Sequence, residues 1–242
     1  NTLVKIVVSG CLYFDVSNIV PVITNISALI VSLLRNTATN EYLLVQATNN
    51  NDSINFDNNI LVNLTNSFVR LVCRYIEITD MSSGQLFIND FIYQCTEIAW
   101  GSQNKIDYSV FVNNNKKNYE QFYHILSCAR CIQQCMILSS SIGSQNITLL
   151  SNKNKFFAND IEYTMLIFQN TSFVTFISNI EQLCVYIIEY ALTLNSFPNH
   201  MFKILLEELC NILLTIRSIS SLLVVALLRS NNISIQHATN II

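Results

Sequence analysis

Glycine and proline are nearly missing from this sequence, with four glycines and two prolines in 242 residues. So little glycine excludes the Gly-rich loops that let a backbone close on a phosphate or a dinucleotide. Neither G-x-S-x-G nor H-E-x-x-H occurs. Charge is short as well: charged residues make up 12% of the chain, against about a quarter in ordinary soluble domains. With three histidines and few carboxylates, the chain has little with which to run acid–base chemistry. Its acidic neighbours, Glu207 with Glu208, Asp160 with Glu162, and Glu181 with Glu189, have the spacing of caps and exposed helix faces. We therefore expect a protein that is not an enzyme, with no catalytic residues and no cofactor.

A basic surface is missing too. The formal net charge is −3, and the one basic cluster, Lys116 and Lys117, lies in an Asn-rich stretch that reads as a solvated turn. Nucleic-acid sites need several phosphate contacts, so direct contact with nucleic acid is not expected.

Apolar residues are plentiful, at 51%. A chain of this length buries a real core, yet so little charge leaves Asn, Ser and Thr to cover the outside. Such surfaces belong either in a membrane or against partner subunits. A spanning helix needs about 20 mostly apolar residues. The stretch from Val16 to Leu34 has the length but contains Ser17, Asn18, Pro21, Thr24, Asn25 and Ser27. The C-terminal run Leu222–Leu228 covers only about 10 Å at 1.5 Å per residue, against a bilayer core of about 30 Å, and sits between Arg217 and Arg229. Neither makes a convincing span, and burial between helices is preferred for the C-terminal run. Asn and Ile are abundant while Gly, Pro, Ala and Arg are scarce, the mark of an AT-rich genome. Lysine is not enriched in step, so the low charge calls for a structural cause such as buried interfaces.

Eight cysteines are spread without the density of a disulfide scaffold. Cys73, Cys95, Cys184 and Cys210 fall in apolar, helix-like runs and read as reduced core residues, which points to a reducing, intracellular environment. The N-x-[ST] triplets at Asn25, Asn51, Asn63, Asn146, Asn170 and Asn232 are about as many as so Asn-rich a chain produces by chance, and carry no argument for glycosylation. The lipoprotein-like box Val8–Cys11 lacks a basic region ahead of it.

The nearest thing to a chemical signature is "HILSCARCIQQC". His124, Cys128, Cys131 and Cys135 lie at helical spacing on one stripe. At 1.5 Å per residue its ends are about 16 Å apart, whereas zinc holds sulfur at about 2.3 Å, so the four cannot share one ion on a straight helix. Cys128 and Cys131 have CxxC spacing, but no strand or helix start precedes them to activate a thiol. The stripe borders an apolar arc of Phe122, Ile125, Ala129, Ile132 and Met136, with Ser127, Arg130, Gln133 and Gln134 opposite. We expect core packing, not a metal site.

The pattern implies a mainly α (α+β) fold of about five to six helices, as one domain over 1–242 with room for a division into two lobes near 101–118. Helices are expected from Ser17, over Ile60–Glu77, Leu86–Ala99 (closed by Gly101), Tyr119–Ser140, Ile180–Leu194 and Pro198–Arg229. The β component comprises an N-terminal strand at 3–8 and a hairpin near 162–177. The functional expectation is a structural subunit of a multi-subunit assembly, such as a viral capsid or nucleocapsid, with other protein subunits as partners in a homo- or hetero-oligomer. The expected contact residues are Leu222, Leu223, Val224, Val225, Leu227, Leu228, Ile241 and Ile242. A membrane-associated subunit is the alternative, and a metal or redox protein built on the His124–Cys135 stripe the third reading.

Overall fold

A computed structural model describes residues 16–36, 60–101, 116–146, 164–165, 167–194 and 200–229. The described residues form α1 (Val16–Arg35), α2 (Ile60–Ile78), α3 (Met81–Trp100), α4 (Lys116–Asn146), α5 (Thr171–Thr193) and α6 (His200–Arg229). Residues 164–165 and 167–169 are helical ahead of α5, and no strand occurs among the described residues. The protein is mainly helical.

The hairpin near 162–177 is overturned. Asn170 stands where its centre was expected and caps a helix instead: its side chain accepts a hydrogen bond from the Phe173 N–H at 3.0 Å. From that cap Phe173, Phe176, Ile180, Leu183, Cys184 and Ile187 recur on one buried face. The β-branched residues that resembled strands are tolerated because packing of that face outweighs their small propensity penalty. The expected strand at 3–8 lies outside the described residues.

Boundaries differ elsewhere for local reasons. Helix α3 begins at Met81 rather than Leu86, because Asp80 caps it by accepting from the Ser83 N–H at 2.8 Å and the Ser83 hydroxyl at 2.9 Å. The Ser82 hydroxyl also donates to Asp80, and these bonds, that from Ser82 foremost, hold its carboxyl below the ordinary range. At the other end Gly101 adopts φ +75° and donates its N–H to Glu97 O at 2.8 Å. Helix α4 is longer than expected: Lys116 and Lys117 belong to its first turn rather than to a loop, and it continues through Gly143 to Asn146.

Helix α4 is the axis of the structure. It packs against α1, α2, α3 and α6, whereas α5 touches only α3 and α6 among the described helices. A helix surrounded by four others has no solvent face over much of its length. Accordingly Ser127 and Gln133 are buried along with Phe122, Ile125, Ile132 and Met136. The expected polar side of α4 is thus interior at those two residues, and Gln133 reaches Thr215 of α6. Small side chains at Ser127, Cys128, Ala129, Cys131 and Cys135 let the neighbours approach closely. The buried apolar residues of all six helices form one cluster. Aromatic contacts join the layers, with Phe68 on α2 against Phe91 on α3 (ring centroids 4.8 Å apart) and Trp100 on α3 against Phe176 on α5 (5.8 Å).

Candidate functional site

Helix α5 has two apolar faces. One is the buried face already described. The other, made by Val174, Val185, Ile188 and Leu192, points to solvent, with Val185 53% and Leu192 70% exposed. At 100° per residue these four fall on one side of the helix; Val185, Ile188 and Leu192 make a continuous patch, and Glu181 on the same side separates it from Val174. A shallow groove of about 390 Å³ runs beside it, lined by Ser178, Glu181, Gln182, Val185, Tyr186 and Glu189. Tyr186 and Tyr190, one turn apart, stack with rings 6° from parallel.

The stripe continues onto α6. Arg217 of α6 donates to Glu181 of α5 at 2.7 Å. One turn along each helix from that ion pair stand Val185 and Leu214, the latter 63% exposed. The result is a solvent-facing apolar patch edged by one ion pair. Its chemistry is burial of aliphatic groups with a polar rim.

The expected contact residues fare differently. Leu222 is 66% exposed, whereas Leu223 and Val224 are buried within the chain itself. Those two pack within the fold itself. The backbone of Val225, Leu227 and Leu228 continues α6, their side chains lie outside the described residues, and so do Ile241 and Ile242. Sequence reading missed the α5 stripe altogether. Val185, Ile188 and Leu192 lie within the helix expected over 180–194, and their spacing there was the signal that could have revealed it.

The His/Cys stripe lies in the centre. Cys128, Cys131 and Cys135 are fully buried in the core cluster, and His124 is half-buried at its edge. Cys128 is the neighbouring thiol of Cys95 on α3, and the Thr65 hydroxyl of α2 lies beside Cys131. The partner thiol beside it, together with burial, pushes the Cys95 thiol well above its ordinary value; burial first and neighbouring thiols second do the same for Cys131 and Cys135. Thiols held protonated pack as small, soft apolar groups. Among the described residues no three His, Cys, Asp or Glu side chains are placed to hold a metal ion. All seven described cysteines are free thiols.

A polar seam that the sequence did not reveal joins α4 to α6. Arg130 pairs with Glu208 and donates to Gln133 Oε1 at 3.0 Å, while Gln133 Nε2 donates to Thr215 Oγ1 at 3.1 Å. Glu207, the neighbour of Glu208, instead lies on the surface near Lys203. Adjacent helical positions point about 100° apart, so the two carboxylates share no site.

Two of the sequons are built into the fold. Asn170 Nδ2 donates to Asn89 Oδ1 at 2.6 Å, and Thr65 of the Asn63 triplet is buried with its hydroxyl on Leu61 O at 2.8 Å. Compared with protein-family models, curated proteins and solved structures, the chain matches none of them.

Proposed function

We propose that this chain is a non-enzymatic structural subunit of a multi-subunit assembly, of the capsid or nucleocapsid kind, that packs against other protein subunits. The observation that supports the reading is the solvent-facing apolar stripe of α5, Val174, Val185, Ile188 and Leu192, continued by Leu214 of α6. Aliphatic side chains in a continuous strip destabilise a dispersed subunit in water, and covering them favours association by about 25 cal/mol per Å² buried. The low charge of the whole chain suits the same role, since charged groups are depleted from interface cores. The reducing, intracellular setting belongs to this reading as well.

The test is the mass of the purified chain in detergent-free solution, beside a Val185→Asp/Leu192→Asp variant. Both side chains are largely exposed, so the substitutions leave the helical fold intact. A defined oligomer that dissociates in the variant, with unchanged helical circular dichroism, is the expected result. A monomeric parent chain, or an oligomer indifferent to the two substitutions, overturns the reading.

A second reading has one observation in its favour. Two helices, within Asn18–Arg35 and Thr171–Thr193, are long and apolar enough to cross a bilayer by length and composition. Core helices of water-soluble proteins meet the same criterion, and both carry a face packed on other helices. A membrane-associated subunit would remain with lipid vesicles on flotation and need detergent to stay dispersed.

A further inference from the structure

Helices α5 and α6 are joined by the short stretch 194–199 and pack on one another, so they run antiparallel. Glu181 of α5 and Arg217 of α6 stand at one level, 2.7 Å apart. From there α5 is followed forward and α6 backward at 1.5 Å per residue. Val185 then lies about 6 Å from that level and Leu214 about 4.5 Å, with Ile188 at about 10.5 Å and Leu192 at about 16.5 Å. The outer side of the helix pair thus carries one charge of each sign, then exposed aliphatic side chains from both helices.

The two charges indicate what covers this face. The Glu181 side chain is 42% exposed and that of Arg217 68%, so their mutual contact leaves much of each open to a third group. A face bearing one sign alone would repel its own copy. A closed dimer needs a surface complementary to itself, and opposite charges at one level on neighbouring helices meet that condition. A two-fold axis across the helices, centred on the apolar patch, lays α5 on α5 and carries Glu181 to the level of Leu192, away from any cation. An axis parallel to the helices keeps every level and lays α5 on α6 of the second copy. Glu181 then meets Arg217 of the second copy, and Val185 meets its Leu214. Further along, Glu189 comes opposite Glu207 of the second copy, whose charge Lys203 offsets from 3.8 Å.

We propose that the α5–α6 face binds the same face of a second copy of this chain, about a two-fold axis parallel to the two helices. The inference rests on the interface reading above and names its partner. Four helices then stand together, each antiparallel to its two neighbours, the order of an up-and-down bundle. Val185, Ile188, Leu192 and Leu214 of both copies fill the centre. At one end Glu181 and Arg217 of the two copies form a square of alternating sign, which fixes the register and rejects other pairings.

The full chain is made as Glu181→Lys, as Arg217→Glu, and with both substitutions together, and masses are measured by sedimentation and native mass spectrometry. Helical circular dichroism checks folding. The parent chain should self-associate. In Glu181→Lys both positions are positive, and in Arg217→Glu both are negative, so either variant alone should self-associate at least about tenfold more weakly. Mixed in equal amounts, the two should recover association as a species containing one chain of each. The double variant, which keeps one charge of each sign, should associate like the parent, and it serves as the test where a single variant does not fold. Single variants that associate like the parent, a mixture as dispersed as its components, or a helical double variant that stays apart each overturn the proposal. If Val185→Asp/Leu192→Asp disperses the parent while the charge variants do not, this pairing falls and the interface reading stands. A monomeric parent chain overturns both.

Discussion

Arg130 on α4 and Glu208 on α6 form an ion pair inside the protein, their side chains 20% and 14% exposed. The two helices lie far apart in sequence, and between them Gln133 and Thr215 complete the polar seam. Removing one member leaves the other charge without its counterpart in a poorly solvated place. Glu208→Gln or Arg130→Met should each cost about 3 kcal/mol, whereas an apolar pair of similar volume at both positions should come closer to neutral. Urea unfolding of the two single variants and the double variant measures this. Single variants within experimental error of wild type would show that the pair contributes nothing.

The start of α5 depends on Asn170. Its side chain accepts from the Phe173 N–H and donates to Asn89 Oδ1 on α3. Asn170→Ala should lower stability by about 1–2 kcal/mol, the usual cost of a lost N-cap together with a tertiary hydrogen bond. Asn170→Asp keeps the acceptor and loses the donor, so it should recover part of that loss. Chemical denaturation of both variants makes the comparison, and equal loss in the two would locate the effect in the bond to Asn89 rather than in the cap.

Two glycines should resist alanine for different reasons. At Gly101 nothing lies within 4 Å of an added Cβ, but φ is +75° with ψ 174°, a region that is nearly glycine's alone, so Gly101→Ala should cost about 1–3 kcal/mol through backbone strain. At Gly84 the backbone is helical, and the added Cβ would overlap Ile76 Cγ1 and Cδ1 on α2. Gly84→Ala in the parent chain should therefore destabilise by overpacking, about 1–3 kcal/mol, against a gain in helix propensity of up to about 1 kcal/mol. In an Ile76→Ala background, which removes both Cγ1 and Cδ1, the overlap is relieved, and the same substitution should be milder. Gly101→Ala should be insensitive to that background. Thermal melts of these combinations separate the two causes.

The buried thiols should make the fold sensitive to alkali. Cys184 is pushed from an ordinary value of 9.0 up to about 12, and Cys95, Cys131 and Cys135 are raised as well, by burial and neighbouring thiols. Above pH 9 the unfolded chain loses thiol protons that the folded chain keeps, so the folded state binds more protons and stability falls as pH rises. The contribution is intact below pH 9 and, for Cys184, is lost progressively up to about pH 12. Denaturation midpoints should decline between pH 8 and 10.5, and less steeply with Cys184→Ala. A flat profile over that range would sink the prediction.

The sequence by itself determined the helices. The spacing of Leu61, Leu64, Phe68, Leu71, Val72 and Ile76 marks α2, Gly101 marks the end of α3, and α6 emerges as one long helix to Arg229. Periodicity is a local property, set by 3.6 residues per turn, and it survives in any environment that buries one face. The same reading failed at 162–177, because β-branched and aromatic residues serve a packed helix as well as a strand, and the Asn170 cap decided between them.

Only the tertiary structure decided which helix has no outside and which has two apolar faces. Nothing in "HILSCARCIQQC" says that four helices surround it; that enclosure put Ser127 and Gln133 in the interior and turned Arg130 toward Glu208. Likewise Val185 and Leu192 are no more apolar than Leu183 or Ile187, yet among the described helices α5 meets only α3 and α6, and Val185 and Leu192 are exposed. Burial depends on how many neighbours a helix acquires. Those neighbours come from contacts distant in sequence, which no local pattern records.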